Sequence, residues 1–106
     1  MNTAYQERDV YVAIADPTRR KLIHLLAESD ETPLYELTGH FQMGRTAISK
    51  HLTILKEADL VRIRKVGRET RYRLNPVPLQ EVKDWVSFYE QFWNEKALLL
   101  KDLLEE

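Results

Sequence analysis

The sequence predicts a mainly α-helical fold with one small β-hairpin, and three observations carry that reading. Apolar residues recur at three- and four-residue spacing along five stretches, the signature of helices that bury one face. One stretch alone, Val61 to Leu74, alternates apolar with basic residues on either side of Gly67, the period of two half-buried strands and their turn. The third observation is where the charge sits. From Met43 to Leu74, Lys and Arg occur nine times and Asp and Glu three times, a balance of +6 in a chain of 106 residues whose total is −1, so that the remainder is −7. Charge this asymmetric marks one face as suited to a polyanion.

Residues 4–15 set Tyr5, Val10, Tyr11, Val12 and Ile14 among charges and read as a short helix. Asp16-Pro17 opens the second, because Asp16 can accept from free amides as an N-cap and Pro17 suits the first helical position. That helix runs to about Glu28, with Leu22, Ile23, Leu25 and Leu26 facing a core. Thr32-Pro33 repeats the same signal and predicts a third helix over 33–42, with Leu34, Leu37 and Phe41 on one face. Met43-Gly44 is a tight turn. The fourth helix spans about Arg45 to Ala58. Ile48, Leu52 and Leu55 form its buried stripe, which leaves Arg45, Thr46, Ser49, Lys50 and Thr53 on the side facing solvent or a partner.

Two helices joined by a short turn, the second polar and basic outside, form a helix-turn-helix (33–58). The hairpin that follows (61–74) is a wing, with Val61, Ile63, Tyr72 and Leu74 turned inward and Lys65, Arg68 and Arg71 around its tip. Asp59 stands where a helix C-terminus calls for a left-handed residue, a conformation Asp tolerates better than most. Asn75-Pro76-Val77-Pro78 breaks structure before a last helix over 79–104. Leu79, Val82, Val86, Tyr89 and Trp93 make one apolar stripe there, and Trp85, Phe88, Phe92 and Leu99 a second beside it. That is more apolar surface than a domain this small covers, which calls for a partner, most simply a second copy.

Length and composition fit one domain spanning 1–106. With no cysteine there are neither disulfides nor thiolate metal sites. No apolar leader or membrane-length run is present, so a cytoplasmic protein without membrane contact is expected. His24, His40 and His51 lack the spacing of metal ligands, and no nucleophile elbow or phosphate-cradling glycine loop occurs, so no metal, cofactor or catalytic residue is expected. The Asp16–Arg20 cluster reads as capping with an internal ion pair. The basic side of the fourth helix suits a DNA major groove, where Arg forks onto guanine and Ser, Thr and Lys reach other base edges or phosphates. The wing suits the flanking backbone or minor groove. Two other readings use the same features. The basic face could bind an acidic protein, or the Trp85–Trp93 region could bind a small molecule that controls DNA release.

Three stretches, AIADPTRRKLIHLL (13–26), TAISKHLTILKEADLV (46–61) and RYRLNP (71–76), resemble the ArsR family of bacterial winged-helix repressors. The aromatic last helix is similar to the metal-independent branch with its SdpR-like autorepressors. The resemblance implies a winged helix-turn-helix of five helices with the wing between the fourth and fifth. It implies a homodimer formed through the first and last helices (4–15 and 79–104), with Tyr5, Tyr11, Val82, Val86, Tyr89 and Trp93 at the interface, and a pseudo-palindromic duplex operator. The recognition positions map onto Arg45, Thr46, Ser49, Lys50 and Thr53, and the wing onto Lys65 to Arg71. Leu34-Tyr35-Glu36-Leu37 stands where the family's cysteine metal motif falls, so metal sensing is not implied.

Overall fold

The computed structural model describes residues 9–105. Its elements are α1 (Val10–Ala13), α2 (Pro17–Ala27), β1 (Thr32–Pro33), α3 (Leu34–Thr38), α4 (Arg45–Glu57), β2 (Val61–Val66), β3 (Glu69–Leu74) and α5 (Leu79–Glu105). The strands form one antiparallel sheet in the order β1-β3-β2.

Asp16 caps α2 as its position predicts. Its Oδ2 accepts from the Arg19 amide at 3.1 Å, and Pro17 occupies the first turn. Burial pushes the Asp16 carboxyl up, but the amide bond from Arg19 and the charges of His51 and Arg19 outweigh it and hold the group below the usual carboxylate range. Asp16→Ala is therefore expected to cost about 1 kcal/mol at neutral pH, read by denaturant unfolding. The native carboxyl is lowered, so the cap's full contribution is present above the unfolded value, near pH 4, and is lost as pH falls through the native value. The gap between variant and parent should narrow in acid; a gap independent of pH would count against the charged cap.

Thr32-Pro33 corrects the expected third helix. The pair forms β1, with Thr32 opposite Tyr72 and Pro33 opposite Arg71, and Pro33 only then serves as the N-cap of α3. The helix also stops early, at Thr38 and not near 42. Lys21 Nζ donates to the His40 carbonyl at 2.8 Å and lies 4.7 Å from the Phe41 ring centre, which holds the following segment on a non-helical path. Of the helix expected over 4–15, Val10–Ala13 is seen; residues 4–8, Tyr5 among them, lie outside the described residues.

The core is built where the predicted stripes converge. Leu22 and Leu26 of α2, Leu37 of α3 and Ile48, Leu52 and Leu55 of α4 are fully buried together, closed below by Leu60, Val61 and Tyr72. The inward alternation of β2 holds only at its base. Val61 is buried but Ile63 is 37% exposed, although Tyr72 directly opposite it is buried, because Ile63 lies on the edge strand and Tyr72 on the central one. The end of α4 is a Schellman turn. The Leu60 amide reaches the Leu55 carbonyl at 3.0 Å and the Asp59 amide the Lys56 carbonyl at 2.9 Å, with Asp59 left-handed at φ 61°.

Buried Asn75 then ties the hairpin's end to this turn. Its side-chain amide donates to the Asp59 carbonyl at 2.8 Å, and its backbone amide to the Leu60 carbonyl at 2.8 Å. At 27 residues, α5 is about 40 Å long. Leu79 and Val82, in its first turns, pack on the core.

Candidate nucleic-acid interface

The α4 stripe fixes which side of that helix looks outward. With Ile48, Leu52 and Leu55 buried, Arg45, Thr46, Lys50 and Thr53 are exposed and Ser49 is half-buried, so one helix face carries all five. The Thr53 hydroxyl donates to the Ser49 carbonyl at 3.0 Å, leaving its oxygen free to accept. Gly44 caps α4 without a side-chain bond, so the first-turn amides keep their donors for an outside anion. Arg45 also lies near Tyr72 at the base of the wing: burial pushes the Tyr72 phenol up, against the opposing pull of the Arg45 charge.

His51, next to Lys50, is turned inward. Its Nδ1 lies 3.2 Å from Arg19 Nη1 and 3.9 Å from Asp16 Oδ2. Arg19 Nε donates to the Ala13 carbonyl at 2.7 Å, and Arg20 to the Ile14 and Ala15 carbonyls at 2.8 and 3.0 Å. The Asp16–Arg20 cluster thus binds α1 to α2, and through His51 fixes the rotation of α4. His24 and His40 are both exposed, and His24 Nε2 lies 3.6 Å from Glu28 Oε1 on its own helix.

The wing turns at Gly67, whose φ of 64° suits glycine, and this puts Arg68 at the exposed tip. Lys65 is exposed beside it, opposite Thr70. Arg71 sits differently from these two. Its Nε donates to Glu69 Oε1 at 2.6 Å and its Nη1 lies 3.6 Å from Glu31 Oε1, so both neighbouring carboxylates engage it. Glu31 also takes a two-pronged bond from Arg64, at 3.0 and 2.7 Å. That bond, foremost, holds the Glu31 carboxyl below its usual range. In sequence Glu31 is only a polar residue before Thr32-Pro33. Its partners lie 33 and 40 residues away, and no local pattern announces them.

Comparison with known proteins follows the same outline. The profile of the bacterial regulatory protein, arsR family, matches residues 16–62, which run from the α2 cap into the wing. The transcriptional repressor SdpR of Bacillus subtilis is 38% identical over 78 residues, covering 74% of this chain and 86% of that protein. The chain belongs to the ArsR family. The arsenic resistance transcriptional regulator ArsR1 of Pseudomonas putida is 36% identical over 77 residues, covering 73% of this chain and 57% of that protein. A solved structure described as a possible transcriptional regulator for arsenical resistance superposes with a TM-score of 0.70 at 40% identity, covering 89% of this chain and 95% of that one.

In this ArsR-family chain the segment Leu34-Tyr35-Glu36-Leu37 is structural: Leu34 and Leu37 are buried, while Tyr35 is exposed. Among the described residues no three His, Cys, Asp or Glu side chains gather as metal ligands, and no helix is long and apolar enough to cross a membrane. The aromatic part of α5 is open to solvent. Trp85 is 55% and Phe88 60% exposed, and their rings run on through Tyr89 to Phe92 with centres 5.0–6.2 Å apart. Tyr11 joins this run, with its ring 6.0 Å from Trp85 and its hydroxyl donating to the Glu81 carbonyl at 3.2 Å. Of the residues assigned to the interface by resemblance, Val82 and Tyr11 thus spend part of their surface inside the subunit. Trp85, Val86, Tyr89 and Trp93 line an open apolar groove of about 180 Å³. Its walls are apolar and it is not enclosed, unlike a site that selects a small polar molecule.

Proposed function

We propose that this chain is a DNA-binding transcriptional repressor that acts in the cytoplasm as a homodimer on an inverted-repeat operator, without a metal effector. The observation that carries the reading is the face of α4. One side of the helix holds the core, and the other presents Arg45, Thr46, Ser49, Lys50 and Thr53 beside a basic wing. A major groove admits one such helix. The wing would add Lys65 and Arg68 on the flanking backbone, with Arg71 reaching a phosphate in exchange for its carboxylates. The exposed aromatic band of α5, extended by Tyr11, would pair with its copy, and two-fold symmetry would set the half-sites about 34–36 Å or a multiple apart. Bound there, the dimer would exclude RNA polymerase, and the likeness to SdpR supports a promoter of its own as one target.

The test is fluorescence anisotropy at physiological salt, with duplex from directly upstream of the gene against a scrambled duplex. A preference of about 10³-fold is expected. Arg45→Ala and Lys50→Ala should each weaken specific binding by about 1–3 kcal/mol while leaving the melting temperature unchanged. Unchanged affinity in both variants would overturn the assignment of this face. Equal weak binding to both duplexes would overturn autorepression, and loss of any preference across a genomic pull-down would favour an acidic protein partner instead.

A further inference from the structure

The wing sheet has an outer face, of which the recognition reading uses only Arg71. Val61 and Tyr72 turn one side of the hairpin into the core, so the residues between them turn outward. There, Arg62 lies directly opposite Arg73, and Arg64 directly opposite Arg71. Like charges in register across a ladder destabilise it, and here two such pairs follow one another. The carboxylates that answer them are unevenly placed. Glu31 takes Arg64 at 2.7 Å and Glu69 takes Arg71 at 2.6 Å. The Arg62–Arg73 pair has only Asp59, 4.0 Å from Arg62, and among the described residues Arg73 has no carboxylate within that distance. Arg62, Arg64 and Arg73 surround a shallow groove of about 290 Å³ in which Glu31 is the only acid.

The geometry points to this outer face as a second phosphate-binding surface, one that takes the DNA backbone beyond the recognition site, with Glu31 masking half of it. The inference rests on the DNA-binding reading above. Arginine's planar fork grips phosphate oxygens in pairs, where a lysine would serve equally well if only edge protection were needed. Successive arginine pairs are two residues apart on one face, about 6.6 Å along the strands. The 3.4 Å rise of a DNA strand is measured along the duplex axis, while the winding backbone runs about 6–7 Å from one phosphate to the next, so a backbone lying along the hairpin would meet the two pairs at two successive phosphates. Because the face turns away from the core that carries α4, the strand it meets lies outside the segment that α4 reads. Glu31, seated between Arg64 and Arg71, competes with that strand for both.

The experiment compares two duplexes with the same operator, one ending at the recognition footprint and one extended by about one helical turn (10–10.5 bp) on each side, over a range of salt. The full chain is expected to favour the longer duplex about tenfold. Arg62→Gln/Arg73→Gln should abolish that advantage, flatten the salt dependence on the long duplex by about 0.9 for each phosphate no longer neutralised, and leave short-duplex affinity unchanged. Glu31→Gln should steepen the salt dependence more on the long duplex, where it frees Arg64 as well, than on the short one, where it frees Arg71 alone; a loss of affinity on both duplexes would make Glu31 a strut and overturn the masking. An advantage that persists in the double variant, or is absent from the parent chain while Lys50→Ala still weakens short-duplex binding, overturns the second face and leaves the recognition reading standing. If the parent chain binds neither duplex, both fall.

Discussion

Replacing Phe88 and Phe92 together by glutamate is expected to give a folded monomer whose operator affinity is at least about a hundredfold lower. The two rings lie one helical turn apart, 6.0 Å centre to centre, and both are exposed in the single chain. Among the described residues, the subunit's own core draws on α5 through Leu79 and Val82, and neither phenylalanine belongs to it. In a dimer each would be buried, a contribution of about 1.5–3 kcal/mol per ring, and each substitution acts twice across a two-fold axis. Glutamate also forces a carboxylate out of water, which an unpaired site does not repay. Dissociation matters for DNA because two linked recognition helices gain about 10²–10⁴ over either alone. Light scattering behind size exclusion gives the mass, circular dichroism the helix content, and anisotropy the affinity. A dimer of unchanged mass would place the interface elsewhere. A monomer with full operator affinity would show that each subunit reads DNA alone.

The parts of this fold that are legible in the sequence are those decided locally. Asp16-Pro17 opens α2 because capping and a fixed proline φ act within one turn. The spacing of Ile48, Leu52 and Leu55 sets the buried side of α4, and with it the outward side carrying Arg45 and Lys50. Asp59 is left-handed where the end of α4 demands it. What escapes a sequence reading is decided by residues far apart. Thr32-Pro33 repeats the signal of Asp16-Pro17, yet Thr32 has Tyr72 opposite it, and sheet pairing overrides the helical start. Ile63 keeps the inward period of its strand but lies on the sheet's edge, so it stays partly exposed while Tyr72 opposite it is buried. The same holds for the candidate site. The exposed face of α4 follows from one helix's periodicity, whereas the link from Glu31 to Arg64 and Arg71, which decides how much of the wing's charge is free, joins a loop to two strands. Asn75 reads in sequence only as part of a break, yet it joins the end of the wing to the turn after α4.

Leu52→Ala is expected to destabilise the chain by about 2–5 kcal/mol, a large share of the about 5–15 kcal/mol that holds a domain of this size. Leu52 is 1% exposed, at the centre of a stripe that meets Leu22 and Leu26 of α2 and Leu37 of α3. Truncation leaves a cavity that these neighbours, each held by its own helix, close only in part. The melting temperature should fall by on the order of 10 °C or more. The contrast with Lys50→Ala, two residues away, separates the two sides of one helix. Lys50 is exposed and touches no partner among the described residues, so its loss should leave melting unchanged and weaken only DNA binding. Leu52→Ala should lose binding in proportion to the fraction unfolded, and regain it on cooling or at a stabilising osmolyte concentration, because its effect on DNA binding is indirect. If Leu52→Ala melted with the parent chain, the α4 stripe would not be the core, and the outward face inferred from it would turn with it. If it stayed folded yet lost specific binding at every temperature, the packing of α4 would be setting the angle at which Arg45 and Lys50 meet the groove, a tighter coupling of core to recognition than burial alone requires.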